Sequence, residues 1–279
     1  ELAMIMQNID LSDHLEFNLN HNGVIKLKSD CQELCLESDN LIVKSANLLR
    51  EISNKDLGAN IFLKKNIPIG AGLAGGSSNA AATLIALNKL WGLNLDYNKI
   101  FSLSERLGSD VPFFIRGGSQ LCFGRGEILE EFKSNLEYGV LLLKNPNVSI
   151  STSEVYRRYS SKFSNYFDLS SQNIENIRNN LRKKILNHSY PLDQSIRIKN
   201  DLQLVVENDN DSVKIALKLL SNLKNCLKFS MSGSGPTCYA LFKDFETANE
   251  SLVENHKLFK NNGFDTWVCK FLDKGVTYI

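Results

Sequence analysis

Four glycines fall within the seven residues from Gly70 to Gly76, and a helical pattern opens directly behind them. The full stretch is Pro68-Ile-Gly-Ala-Gly-Leu-Ala-Gly-Gly-Ser-Ser-Asn-Ala-Ala-Ala82, after which Ala80, Leu84, Leu87 and Trp91 recur at helical spacing until Gly92 stops the pattern. Upstream, Asn60-Ile-Phe-Leu63 reads as a short strand. Strand, glycine-rich loop and helix start make a unit suited to anions. The first turn of a helix carries unpaired N–H groups and the positive end of the helix dipole, and glycines let the backbone approach a ligand closely. Ser77 and Ser78 are placed to cap the helix or to offer hydroxyls to a phosphate or its metal. The candidate phosphate-binding residues are therefore Pro68, Ile69, Gly70, Ala71, Gly72, Leu73, Ala74, Gly75, Gly76, Ser77 and Ser78. No Gly-Lys-Ser/Thr follows the glycines, so this is not a Walker A loop, and Gly70-Ala-Gly72 lacks the acidic residue of a dinucleotide fingerprint.

The 279 residues are enough for one large or two modest domains, and 43% hydrophobic with 23% charged residues is an ordinary globular composition. A formal charge of +1 gives no electrostatic reason to expect nucleic acid or an anionic membrane as a partner. No apolar run reaches the length of a membrane span, and Glu1-Leu-Ala-Met does not read as a signal peptide. The six cysteines, at 31, 35, 122, 226, 238 and 269, form no Cys-x-x-Cys pair and have no histidine at zinc spacing. They read as scattered buried thiols, and the expectation is a cytoplasmic protein. His14, His21, His188 and His256 read as surface or packing residues.

Taken in order, Leu2 to Ile9 and Leu15 to Leu19 read as strands, and His21-Asn-Gly23 followed by Val24 to Leu27 reads as a hairpin. Leu41 to Arg50 reads as a helix capped by Asp39 or Asn40, and Asp96 caps another helix that ends at Gly108. Ser119 to Phe123 and Ile128 to Phe132 read as a hairpin, and Tyr138 to Leu143 as the last strand of a first domain over residues 1–145. Arg116 and Arg125 are left outside the candidate site, since exposed arginines usually touch water. Asn145 to Tyr156, rich in proline, asparagine and serine, reads as a hinge leading into a helix from Thr152 or Ser153. From 162 to 200 the signal is helical, with a stripe at Ile174, Ile177, Leu181 and Ile185 and a solvated face at Arg182-Lys-Lys184. Asn200-Asp-Leu202 reads as a helix start joining the domains. A strand, glycine turn and strand at Lys228 to Phe242, a helix at Phe245 to Lys260 and a strand at Thr266 to Phe271 follow. This alternation predicts an α+β second domain of ferredoxin-like type over 146–279.

Two further stretches carry chemistry. Leu107-Gly-Ser-Asp-Val-Pro-Phe-Phe114 places Asp110 before Val-Pro, where an aspartate is ordinarily a helix cap or turn former. Ser232-Gly-Ser-Gly-Pro236 is by its residues a tight connection between strands.

In order and spacing, these stretches together resemble the GHMP kinases (the galactokinase, homoserine kinase, mevalonate kinase and phosphomevalonate kinase superfamily). The resemblance covers nearly the whole chain. The form Gly-Gly-Ser-Ser-Asn-Ala-Ala is most similar to the branch that acts on 4-diphosphocytidyl-2-C-methyl-D-erythritol in non-mevalonate isoprenoid synthesis. The resemblance implies a two-domain α+β fold, ribosomal protein S5 domain 2-like in its first half and ferredoxin-like in its second. It implies transfer of the γ-phosphate of ATP, accompanied by Mg²⁺, to the 2-hydroxyl of that small-molecule substrate, with no nucleic-acid or membrane partner and a monomeric or weakly dimeric state. It gives Asp110 the catalytic role of readying the hydroxyl. Gly233 and Gly235 would close on the phosphate loop, Tyr156 would stack on cytosine, and Thr152 would lie near the substrate. Family members also carry an upstream Pro-Ala-Lys-x-Asn-Leu strand and a Tyr-His pair. Neither is in these residues, so the expectation is a truncated chain with feeble activity or none. Another acceptor, homoserine or mevalonate, and a non-catalytic nucleotide-binding protein remain the alternatives.

Overall fold

The computed structural model describes residues 1–134, 137–164, 170–186 and 198–278, without the side chains of 184 and 186. His188 and the parts of the helical stretch at 165–169 and 187–197 lie outside the described residues.

The first half begins with β1 (Leu2–Gln7), β2 (His14–Asn20) and β3 (Ile25–Ser29), followed by α1 (Leu41–Ser53) and β4 (Gly58–Lys64). Next come α2 (Gly75–Leu90), α3 (Tyr97–Leu107), α4 (Val111–Arg116), β5 (Ser119–Gly124) and β6 (Ile128–Glu131). Two three-stranded sheets result, ordered β1-β5-β6 and β2-β4-β3. The hairpin expected at residues 21–23 does not form, because β4 separates β2 from β3, antiparallel to one and parallel to the other. The turn itself is there, held by the Asn20 amide on Val24 O at 2.8 Å. Gly58 explains the insertion: a Cβ there would run into Asn20, so only a bare residue lets β4 enter beside the end of β2. Once inside, β4 buries Ala59, Ile61 and Leu63 on alternate positions, as a central strand should.

The helices cover this sheet with one apolar face each. Ile42 and Leu49 of α1, Leu84 and Leu87 of α2, and Leu103 of α3 are buried in one cluster with β4, each such side chain contributing roughly 2 kcal/mol. Asn40 caps α1 through Ile42 N–H, and Asp96 caps α3 through Lys99 N–H at 2.8 Å.

The second half contains β7 (Gly139–Lys144), α5 (Thr152–Phe163), α6 (Ser171–Leu186), α7 (Gln203–Val206), α8 (Asp211–Ser221), β8 (Lys228–Met231), β9 (Cys238–Phe242), α9 (Phe245–Asn261) and β10 (Asp265–Lys270). Its sheet is ordered β10-β7-β9-β8 and is antiparallel throughout. This is the ferredoxin-like arrangement, and it requires a correction. Strand 139–144, expected to close the first domain, lies instead between β9 and β10 and is buried along its whole length. A boundary after residue 145 would leave that sheet without its inner strand. The basic stretch on α6 is also not a simple solvated face, since Arg182 bridges Glu130 of β6 and Glu175.

The chain end returns to the first half. Leu272 N–H donates to Asn8 O at 2.9 Å, Val276 packs beside Ala80, Ala81 and Val111, and the Lys89 ammonium sits 4.5 Å from the Tyr278 ring centre. Gly117 makes the crossing possible: with φ at +78°, its missing side chain would overlap the Gly275 backbone. Gly117→Ala should therefore lower stability by about 2–4 kcal/mol, through strain and backbone overlap together. Urea unfolding, with an unchanged m-value and a lower midpoint, is the measurement that checks it.

Candidate active site

The glycine loop and the start of α2 lie as the sequence pattern anticipates, but the cap differs. Neither serine caps the helix. The N-cap is Ala74, left-handed at φ 51°, with no side-chain cap bond, and the Ser78 hydroxyl donates within the first turn to Gly75 O at 2.9 Å. No side chain therefore competes with an incoming anion for the first-turn N–H groups. Acidic residues are absent from that turn as well.

The loop is shaped by backbone meeting backbone. At Gly72, φ +72°, a Cβ would sit 2.6 Å from Ser232 O and 2.7 Å from Gly235 O. The Ser232 hydroxyl donates to Gly72 O at 2.9 Å, and Thr237 N–H donates to Ala71 O at 3.3 Å. The turn between β8 and β9 thus closes directly on the loop before α2, and Gly70 packs against Ser149 of the hinge. Asn200 supports the same turn, its amide donating to Met231 O and Gly233 O, both at 2.8 Å.

Around these turns opens a cleft of about 2290 Å³ between the two halves. Of the candidate residues, Pro68 to Gly76, Ser78, Asp110, Thr152, Tyr156 and Gly233 line it, whereas Ser77 and Gly235 do not. Thr152 and Ser234 hydroxyls lie 2.8 Å apart, so Thr152 also ties the start of α5 to the β8–β9 turn. Tyr156, one turn further along α5, is 38% exposed. Met4, Ile174 and Ile177 add apolar surface.

Asp110 occupies the N-cap position of α4, yet its side chain makes no cap bond. Burial pushes its carboxyl above the ordinary aspartate range. Its oxygen lies 3.7 Å from where a Cβ on Gly126 would stand, so the glycine turn between β5 and β6 gives it room. Its charge is felt by its neighbours. The Cys122 thiol is pushed up to about 12 by burial and then by Asp110. The Tyr156 phenol is raised by burial and then by the same carboxylate. Arg116, by contrast, is occupied with Leu129 O at 2.9 Å and the Phe101 ring. The cysteines are free, Cys122, Cys238 and Cys269 being buried as anticipated and Cys35 exposed.

Among the described residues no group of three or more histidine, cysteine or acidic side chains is placed to hold a metal. No helix of the described residues is long and apolar enough to cross a membrane. The sequence pattern does not disclose Ser232 and Ser234, whose hydroxyls stitch the loops together, or Ser149, which packs on Gly70. The Ser-Gly-Ser-Gly spelling is the available signal, since its hydroxyls as well as its glycines hold the turn. Nor does the pattern disclose the buried pair Asp13–Lys65 beside the loop, since nothing local relates residues so far apart.

Residues 40–118 match the GHMP kinases N terminal domain, and residues 170–261 match the GHMP kinases C terminal domain. The chain is 68% identical over 279 residues to a 4-diphosphocytidyl-2-C-methyl-D-erythritol kinase of Prochlorococcus marinus (strain MIT 9312), covering 100% of this chain and 90% of the relative. A protein of the same name from strain NATL2A is 44% identical, covering 99% and 87%. Among solved structures, a 4-(cytidine 5'-diphospho)-2C-methyl-D-erythritol kinase superposes with a TM-score of 0.68 at 25% identity, over 96% of this chain and 89% of the other. A homoserine kinase from Cytophaga hutchinsonii superposes with a TM-score of 0.72 at 18% identity, over 97% and 90%, which speaks for the fold.

Gly72→Ala should weaken binding of a non-hydrolysable ATP analogue about tenfold or more, because the added carbon forces the two glycine turns apart. Calorimetric titration of the full chain measures this directly.

Proposed function

The chain belongs to the GHMP kinases, and from that premise we propose that it transfers the γ-phosphate of ATP to the 2-hydroxyl of 4-diphosphocytidyl-2-C-methyl-D-erythritol, a step of isoprenoid precursor synthesis. One observation carries the chemistry: an uncapped helix start behind a bare backbone loop shares a cleft with a buried carboxylate that has no cap bond.

In this reading the polyphosphate lies along Gly70 to Gly76 and meets the free N–H groups at the start of α2. Charge that develops on the transferring group is then stabilised by fixed dipoles rather than by reorganising water. The acceptor half of the cleft belongs to Tyr156 and Asp110. The Tyr156 ring, half-exposed on α5, offers a flat face to cytosine. The raised pKa of Asp110 makes its carboxylate a better acceptor for the hydroxyl proton than a solvated aspartate.

Mg²⁺ fits as a companion of the nucleotide, not as a resident of a protein cage. The cleft offers the Ser78 hydroxyl, and a magnesium ion of this kind would be held by few protein oxygens and by the phosphates themselves. When bound it would supply neutralisation of phosphate charge. We read the protein as cytoplasmic, acting on small molecules and not on nucleic acid or a membrane.

Phosphate transfer should be measured with ATP against 4-diphosphocytidyl-2-C-methyl-D-erythritol, homoserine and mevalonate. Whatever turnover these residues support, feeble or not, is expected with the cytidyl compound alone, and preference for either other alcohol would overturn the assignment. Asp110→Asn separates chemistry from binding. It should reduce kcat by about 10²–10⁴-fold and leave ATP affinity nearly intact. In the parent chain kcat/KM should fall with decreasing pH through a pKa above the usual aspartate range, since the base must be ionised, and this limb should vanish in the variant. The stability effect has the opposite sign. A carboxyl whose folded pKa is raised loses stability as pH rises through that pKa, so at neutral pH Asp110→Asn should be stabilising, by about 0.5–2 kcal/mol.

A further inference from the structure

Asp13 stands between β1 and β2, far in sequence from the glycine loop. Its side chain is 1% exposed, beside a Lys65 side chain that is 8% exposed. Oδ1 accepts the main-chain N–H groups of Asn66 at 2.7 Å and Ile67 at 2.8 Å. Oδ2 accepts the Lys65 ammonium at 2.7 Å and the Asn79 amide at 2.9 Å. The Lys65 ammonium also donates to Ile67 O, and the Asn66 amide donates to Ser12 O at 2.8 Å. A carboxylate taken out of water needs this many donors, and here they come from two separate places.

Lys65, Asn66 and Ile67 lead into the glycine loop. Asn79, itself buried, sits one turn inside α2, just after the loop. A single carboxylate therefore grips both ends of the segment from Pro68 to Ser78. Glycine-rich backbone has the most freedom to lose on ordering, so a loop already tied at its base has less to lose when a ligand arrives. The same carboxylate fixes a cation. Lys65 Nζ lies 3.4 Å from where a Cβ on Gly75 would stand, which places the ammonium against the first residue of α2.

We propose that Asp13 is a positioning residue for the nucleotide, closing the base of the phosphate loop and restraining the Lys65 ammonium beside the start of α2. The proposal rests on the reading of that loop as the ATP site. It distinguishes Asp13 from an ordinary buried ion pair, whose loss would lower stability and every binding function together.

The test uses the full chain and three variants. Asn79→Ala removes one of the four donors and leaves the ion pair, so it is the variant expected to fold without difficulty. Asp13→Asn keeps an oxygen for the two main-chain N–H groups but presents an amide N–H to the Lys65 ammonium. Asp13→Asn/Lys65→Met then removes the stranded cation. Affinity for a non-hydrolysable ATP analogue by calorimetry should fall about tenfold in Asn79→Ala, the scale of one hydrogen bond to a charged group, and further in Asp13→Asn. The double variant should recover part of that second loss. KM for the cytidyl acceptor should stay within about twofold throughout, since that half of the cleft is untouched. Unchanged analogue affinity in Asn79→Ala and Asp13→Asn overturns the proposal. So does a parallel loss of nucleotide and acceptor affinity that tracks a falling Tm. A parent chain that binds the analogue but prefers homoserine or mevalonate as acceptor overturns the substrate assignment and leaves Asp13 in its role; a parent chain that binds no analogue overturns both.

Discussion

The two glycine turns, one before α2 and one between β8 and β9, meet without side chains between them. Ser232 O and Gly235 O stand where a Cβ on Gly72 would have to go, and the Ser232 hydroxyl and Thr237 N–H close the contact. Everything that makes the cleft depends on this approach. Were the turns pushed apart by one methyl group, the glycine loop would lose its wall, and the cleft between the two halves would lose its floor. The contact also explains why the site is built of main chain. The polyphosphate proposed for this site needs many donors in a small volume, and backbone N–H groups released by glycine supply them more densely than side chains can.

The sequence reveals those parts of the site whose physics is local. The strand, glycine loop and helix of residues 60 to 92 are legible because periodicity, glycine and the absence of proline all act within a few residues. The ferredoxin-like alternation is legible for the same reason. What is decided at a distance is not. The placement of β4 between β2 and β3 turns on Gly58 fitting against Asn20, and nothing in the spelling His21-Asn-Gly23 reports that. Strand 139–144 looks like the end of one domain by position and is the inner strand of the other by hydrogen bonding. The helix cap fails for a subtler reason. Ser77 and Ser78 are good capping residues by type, but Ala74 takes the left-handed conformation and starts the helix before them. Asp110 shows the reverse. Its residues alone read as a cap, and only a match to other kinases gave it chemistry; in the structure the cap position is filled and the cap bond is missing.

That missing bond has an energetic meaning. A carboxylate at the start of a helix ordinarily stabilises it by bonding the second or third N–H group. Asp110 forgoes this and is desolvated as well, so its charged form is disfavoured where it sits. A group arranged against its own stability is a frequent mark of a working site. Tyr156 and Cys122, both raised in pKa with Asp110 among the causes, record the same uncompensated charge.

The chain end adds the last constraint. Residues 272–278 leave the second sheet and pack on α2 and α4, the helix proposed to meet the phosphates and the helix headed by Asp110. Val276 packs alongside Leu41, Leu107, Phe114 and Ile115 on the cluster of Ala80, Ala81 and Val111, through which the two helices already touch. Small residues at those positions bring the helices close, so Asp110 and the α2 start are held relative to each other by packing rather than by any bond between them. On the proposed reading, a shift of either helix would change the separation of base and phosphate. In phosphoryl transfer positioning supplies much of the rate, so in the proposed site the strap of residues 272–278 would matter alongside the loop.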